Sequence, residues 1–327
     1  MKMLSNNSIR LNEIRRQCKW VTENADSIHI NYDKIKDYAA QLPLEKVANP
    51  PLDPIAHYLN EGKATLAFFL TLETINFGSG YFQHLEQEVE ECGYFTVATA
   101  LANHYRNHGI ITAAQLAQFT AKDCLQLFEQ NPQNANMVEL MGKFALALNQ
   151  LGNFLLENFD GKFDALIAAA RNSAERLVNI LAQIPCFYDV AHYKNQVIPI
   201  FKRAQITAAD LSLAFKNQGL GYFKDLDKLT IFADNMIPHV LRCDGIFEYE
   251  ESLGKRIDRQ ELIEAGSMPE TELRACSIHA IELIKASLNA KGHQLRSIDL
   301  DYLLWNEGLQ KKYYGKHQLH FTRTFFY

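Results

Sequence analysis

The sequence predicts an all-α fold with at most a small β element near the C-terminus. Three observations carry that expectation. Long stretches place apolar residues at three- and four-residue spacing, the period of a helix face. Thr residues open shorter helical runs, and a glycine closes one of the longest. Strand-like patterning is confined to "GIFEYEE" (245–251) and the alternating tail "QLHFTRTFFY" (318–327).

In chain order, the predicted helices cover "KATLAFFLTLETINF" (63–77), "FTVATALANHYRNHG" (95–109) and "NMVELMGKFALALNQLGNFLLENF" (136–159). They continue with "FDALIAAARNSAERLVNILAQI" (163–184) and "ETELRACSIHAIELIKASLNAKG" (270–292), the latter ending in a lysine and a glycine C-cap. Thr112 and Thr120 cap two short helices. "IFKRAQIT" (200–207) sets Lys202 and Arg203 near the end of an apolar helix, and residues 41–54 form a loop.

The 327 residues are 47% hydrophobic and 22% charged, enough for a sizeable core. We expect one helical domain over 1–327, with lobes of about 1–160 and 161–327 around the active site as the variant arrangement. A net charge of −5 offers no footprint for gripping a long nucleic acid, so no stable nucleic-acid partner is expected. A small polyanion needs only a local basic pocket. The start "MKMLSNNSIRLNEIRRQCKW" lacks the apolar core of a secretory signal, and no run reaches the ~18 apolar residues of a membrane span. The six cysteines are isolated, which points to neither a zinc ribbon nor a disulfide framework. The expected setting is the cytoplasm, with reduced thiols.

Candidate chemistry centres on "LTIFADNMIPHVLR" (229–242). On a helix, Asp234 would neighbour Thr230, Ile231, Ile237 and Pro238, a mostly apolar environment that raises a carboxylate's pKa. Pro238 would kink that helix. With the glycine-containing turn "NQGLGYFKDLDK" (217–228) before it, the layout is helix, turn, helix, acid, loosely that of helix-hairpin-helix glycosylases. The plainer reading is a buried Asp satisfied by local amides. His104 and His108 share a helix face, but read better as partners of the helix dipole before Gly109. Gly78 and Gly80 form either a helix-ending turn or an amide-lined ligand loop. Arg323, beside His320 among aromatics, requires a buried carboxylate or a ligand anion. Asp301 lies deeper in its periodic segment than Asp299 and is the stronger candidate.

Taken together, the segments resemble the queuosine salvage protein family, the queuosine 5′-phosphate N-glycosylases. The likeness runs through "HYLN" (57–60), "TINF" (74–77), "NSAERL" (172–177), "FKRAQI" (201–206), "FKDLDKLTIFAD" (223–234), "ETELRACS" (270–277), "DYLLW" (301–305) and "HFTRTFFY" (320–327). The resemblance implies a compact helical fold related to DNA glycosylases and hydrolysis of the bond joining queuine to ribose 5-phosphate. It puts the catalytic carboxylate on Asp234, with Lys202 as a phosphate or leaving-group partner. It draws His57, Phe77, Asp301 and Arg323 to the pocket, and we add Glu73, Asn76, Asn235 and His320 as substrate-binding candidates. Glu73 or Asp301 would take the guanine-like edge and Phe77 would stack on the base. A small-molecule substrate, no metal and no cofactor are implied. Asn235, Met236 and His239 stand where the family usually has Tyr, Arg and Gln, and Phe321 replaces a tail arginine. A glycosylase for another modified nucleotide, or a non-catalytic nucleoside-binding protein, are the alternatives.

Overall fold

The structure, a computed structural model, describes residues 10–47, 52–86 and 92–327. Its helices are α1 (Leu11–Glu23), α2 (Ile35–Gln41), α3 (Lys63–Thr74), α4 (Gly93–His108), α5 (Ala113–Leu116), α6 (Ala121–Leu127) and α7 (Ala135–Phe159). The second half supplies α8 (Phe163–Ala170), α9 (Ala174–Leu181), α10 (Lys202–Ala214), α11 (Met236–Cys243), α12 (Glu251–Asp258), α13 (Met268–Asn289) and α14 (Ser297–Gly308). Two antiparallel pairs complete it: β1 (Ile28–Ile30) with β4 (Phe247–Tyr249), and the hairpin of β2 (Val190–Tyr193) and β3 (Gln196–Pro199). The all-α expectation holds, with minor β elements. Part of the loop expected at 41–54 lies outside the described residues.

Four sequence expectations need correcting. The run 163–184 is two helices, because Arg171 and Asn172 take left-handed backbone and Ser173 restarts the chain by capping the Arg176 amide at 3.2 Å. Asp225 reinforces the break, accepting from the Ser173 hydroxyl and the Ala174 amide, each at 2.7 Å. The C-terminal tail is no strand. It is tied by single bonds instead, Ile263 N–H to the Phe321 carbonyl at 2.9 Å and Gly78 N–H to the Tyr327 carbonyl at 3.1 Å. Lys202 begins a helix rather than ending one. Finally, residues 229–233 are buried chain outside any helix or strand and 234–235 a half-buried bend, so Asp234 precedes α11 and Pro238 falls in its first turn. No kink is needed there, since a first-turn residue has no helical acceptor for the N–H that proline lacks.

One apolar core runs through these elements. α3 is buried from Thr65 to Thr74, so every face of it is covered, by α4, α7, α8 and α10 among others. α1 packs on α13 and α11 on α14. The Thr112 and Thr120 caps form full capping boxes, orienting α5 and α6 against α7. Among the described residues, no helix is long and apolar enough to cross a membrane.

The α5–α7 contact is close because Gly152 has no side chain. A Cβ there would sit 2.3 Å from the Ala117 nitrogen and 2.6 Å from the Ala113 carbonyl oxygen, both backbone atoms. Gly152→Ala should therefore destabilise the protein by about 1–3 kcal/mol through overpacking. Denaturant midpoints check this, and an unchanged or higher midpoint would mean α5 yields freely.

Candidate active site

The segment 229–235 has no strand partner, so its buried amides and carbonyls must be satisfied individually. Three helices do this. From α10, Gln205 accepts from the Thr230 amide at 2.8 Å and donates to the Thr230 hydroxyl at 2.9 Å. From α14, Asp301 Oδ1 accepts from the Phe232 amide at 2.8 Å. From α13, Arg274 Nε donates to the Ala233 carbonyl at 3.0 Å. The next residue is Asp234. Its Oδ1 accepts from the amides of Met236 (2.8 Å) and Ile237 (3.3 Å) and so caps α11. Its other oxygen accepts no hydrogen bond among the described residues.

Lys202 is set by a parallel arrangement. Its backbone amide opens α10 and donates at 3.0 Å to Asp189 Oδ2, a carboxylate at the positive end of the helix. Asp189 also receives Arg274 through two bonds, 2.9 and 2.6 Å, both side chains being almost fully buried. The neighbouring Arg203 donates to the carbonyls of Glu73, Thr74 and Cys186. It thereby answers orphan carbonyls at the end of α3, with its guanidinium over the rings of Phe77 and Phe187. That clamp brings the Lys202 ammonium to 3.4 Å from the Asn76 carbonyl and 3.5 Å from its side-chain oxygen. Asn76 in turn donates to Glu73 Oε2 at 2.8 Å.

Glu73, Asp210, Asp234 and Asp301 thus cluster around the Lys202 ammonium, an anionic chamber in the sense of a shared buried environment. Burial raises all four carboxyls, Glu73 and Asp301 most strongly, and lowers Lys202. For Asp234 the Lys202 charge is the largest opposing influence, followed by its two amide donors. Tyr302 donates to Asp210. His57 lies at the flank, its ring nitrogens 2.8 Å from the Asp53 carbonyl and 2.9 Å from the Tyr94 hydroxyl, and burial lowers its pKa.

The other candidates fall elsewhere. Phe77 is core, edge-on to Phe144 and beneath Arg203, so its ring is the platform of a guanidinium. His320 is buried against the Tyr327 hydroxyl at 3.1 Å and pushed down to about 3 by burial and then by Arg274, so it carries no charge for a phosphate. Arg323 meets Glu139 at 3.1 Å and Asn136 at 2.6 Å, over the Tyr81 ring. Its carboxylate partner Glu139 is exposed, where the sequence reading expected a buried one. Asn235 donates to the His320 carbonyl at 3.3 Å. The Gly78 amide is spent on Tyr327, and Gly80 lies so close to the tail that a Cβ would be 2.5 Å from the Thr322 carbonyl oxygen. A surface groove of about 1300 Å³ beside α4, α5 and α6 is lined by His104 and His108 but by none of the chamber residues. We place the chemistry at the buried carboxylates, which converge on one ammonium; the groove's acidic residues include Asp123, already committed to the cap of α6.

Sequence reasoning missed Asp189, Gln205, Asp210 and Arg274. "ETELRACS" and "FKRAQI" contain two of them, and an Arg or Gln inside an apolar helical run signals a partner to be found.

Fold and site together define a helical protein with a buried anionic chamber, an ammonium and a carboxylate with one unengaged oxygen. The chain belongs to the queuosine salvage protein family, whose model matches residues 56–327. It is 34% identical over 312 residues to a protein of Sphaerobacter thermophilus named queuosine 5′-phosphate N-glycosylase/hydrolase, covering 94% of this chain and 95% of that one. Proteins of the same name from Dictyostelium discoideum (32% over 248 residues, 75% and 73% covered) and Mus musculus (28% over 317, 89% and 91%) are also similar.

Because the Lys202 charge opposes burial at Asp234, removing it should raise the Asp234 pKa further. In Lys202→Met, the anion is then lost at a higher pH as the solution is acidified. A ¹³C-detected carboxyl titration should show the Asp234 midpoint displaced upward; an unmoved midpoint would mean the two charges are decoupled.

Proposed function

We infer that the protein hydrolyses the N-glycosidic bond of queuosine 5′-phosphate, releasing queuine and ribose 5-phosphate. The near full-length similarity to N-glycosylases of that name carries the substrate. The chemistry fits the chamber. A 7-deazaguanine has carbon in place of N7, so the ready protonation that expels a purine is unavailable. Catalysis then depends on stabilising the positive ribosyl oxocarbenium ion and delivering water. Asp234 suits both tasks: its Oδ1 is fixed by two amides, and its other oxygen is free to face C1′ and take a proton from water. Lys202 holds Asp234 towards its anionic form. Asp301 presents its second oxygen to the paired N–H donors of a guanine-like edge. A phosphate dianion needs a cation, and Lys202 is the ammonium that the site offers it. The direct test is incubation with queuosine 5′-phosphate and chromatography for free queuine.

Asp234→Asn removes the charge and the base while preserving an oxygen to cap α11. Turnover should fall by at least ~10²–10³ with an unchanged thermal midpoint. A folded Asn variant with near-normal turnover would sink this assignment.

Arg323 has its partners in Glu139 and Asn136. Arg323→Ala should therefore change kcat/KM for the 5′-phosphate and for the free nucleoside by the same factor. A loss confined to the phosphorylated substrate would place Arg323 on the phosphate.

A further inference from the structure

Resting on that reading, we propose that Glu73 is the general acid that protonates the departing base, with Asp210 as the carboxylate that shares its proton. Four observations converge. Glu73 is fully buried in the last turn of α3, and while Oε2 accepts from Asn76, Oε1 is shielded from solvent and finds no N–H or hydroxyl donor, having the Asp210 carboxyl within hydrogen-bonding reach instead. A bare carboxylate oxygen in that position is costly, and a proton on it removes the cost. Asp210 faces it from α10, with one oxygen taken by the Tyr302 hydroxyl. Two carboxyls so placed cannot both ionise, and the pair holds one proton. Lastly, Glu73 and Asp210 stand on α3 and α10, whereas Asp234 and Asp301 belong to the 229–235 segment and α14. Acid and base therefore approach from separate elements, an arrangement that lets two carboxyls flank a glycosidic bond.

The charges around Glu73 agree with this assignment. Asp210 and Lys202 face it from α10, Tyr94 from α4 and Tyr302 from α14, while Arg203 lies behind on the α3 carbonyls. Burial and the Asp210 charge raise Glu73, outweighing Lys202 and the Asn76 amide. The step balances. The C1′–N bond breaks with its electron pair going to the departing nitrogen of the base, and the Glu73 proton passes to that same nitrogen, because the N7 that an ordinary purine would protonate is carbon in a 7-deazaguanine. Water adds to C1′ and its proton goes to Asp234. Asp234 then releases a proton to solvent and Glu73 takes one up.

The experiment is the pH profile of kcat and KM on queuosine 5′-phosphate for wild type, Glu73→Gln and Asp210→Asn, with thermal midpoints as the folding control. A required acid gives wild type a basic limb, activity falling as pH rises through its pKa. In Glu73→Gln, kcat should fall on the order of 10²–10⁴ with KM within a few-fold and that limb gone. In Asp210→Asn the limb should move to lower pH, because the charge that raises Glu73 is absent. A Glu73→Gln enzyme that keeps the limb, or loses only in KM, overturns the proposal and leaves Glu73 a binding group. Should Glu73→Gln fail to fold, the limb of Asp210→Asn decides, and an unmoved limb is a refutation. Wild type that releases no queuine overturns the underlying reading and this proposal together. An active wild type with an unaltered limb in the variants overturns this proposal alone.

Discussion

The buried ion pair between Arg274 and Asp189 is the constraint on which the site depends. One carboxylate oxygen of Asp189 fixes the first amide of α10 and with it Lys202. The guanidinium opposite fixes the Ala233 carbonyl and with it Asp234. Acid and ammonium, 32 positions apart by their numbers, thus hang from one bidentate contact. Its burial makes it indispensable rather than merely favourable: leaving either partner alone strands a charge out of water, a cost of roughly 3–5 kcal/mol. Glu270, 3.6 Å away, and the Tyr327 ring beneath the guanidinium complete the enclosure.

Around that pair the chamber is deliberately unbalanced. Four carboxyls converge where water is scarce, and burial outweighs every local charge in setting their protonation. The result is differentiation. Asp234, with two amide donors and the Lys202 charge, is the one favoured as an anion, and the facing Glu73 and Asp210 hold a proton between them. Acidic groups of similar intrinsic strength are thereby available for opposite tasks at one pH.

The helices were legible because their periods are long and their caps explicit; Thr112 and Thr120 behave as their sequence signals say. The site was legible in part. An isolated Asp in "LTIFAD" announced itself, and Lys202 came with a family resemblance. The reading of residues 229–235 as a helix failed because apolar runs of that length fit a buried non-helical segment equally well, and only tertiary partners decide between them. Those partners, Gln205, Arg274 and Asp301, are far apart in sequence and have no common spacing to detect. The tail failed for a related reason: alternation describes a two-faced chain, but a ladder also needs a neighbouring strand. For Arg323 the sequence called for a buried carboxylate or a ligand anion, and the carboxylate beside it, Glu139, is exposed.

The bonds that pin residues 229–233 have an evolutionary corollary. They grip mainly main-chain atoms: the Thr230 and Phe232 amides and the Ala233 carbonyl. Main-chain atoms are common to all residue types, so the backbone path itself tolerates exchange here, within the limits that the core sets on the buried Leu229, Ile231, Phe232 and Ala233. The same holds just past Asp234, where its carboxylate grasps the amides of Met236 and Ile237 and is indifferent to what those residues carry. The flanks of the central acid, Asn235 and Met236, can therefore change in a lineage without displacing the acid, because the acid is held through main-chain amides.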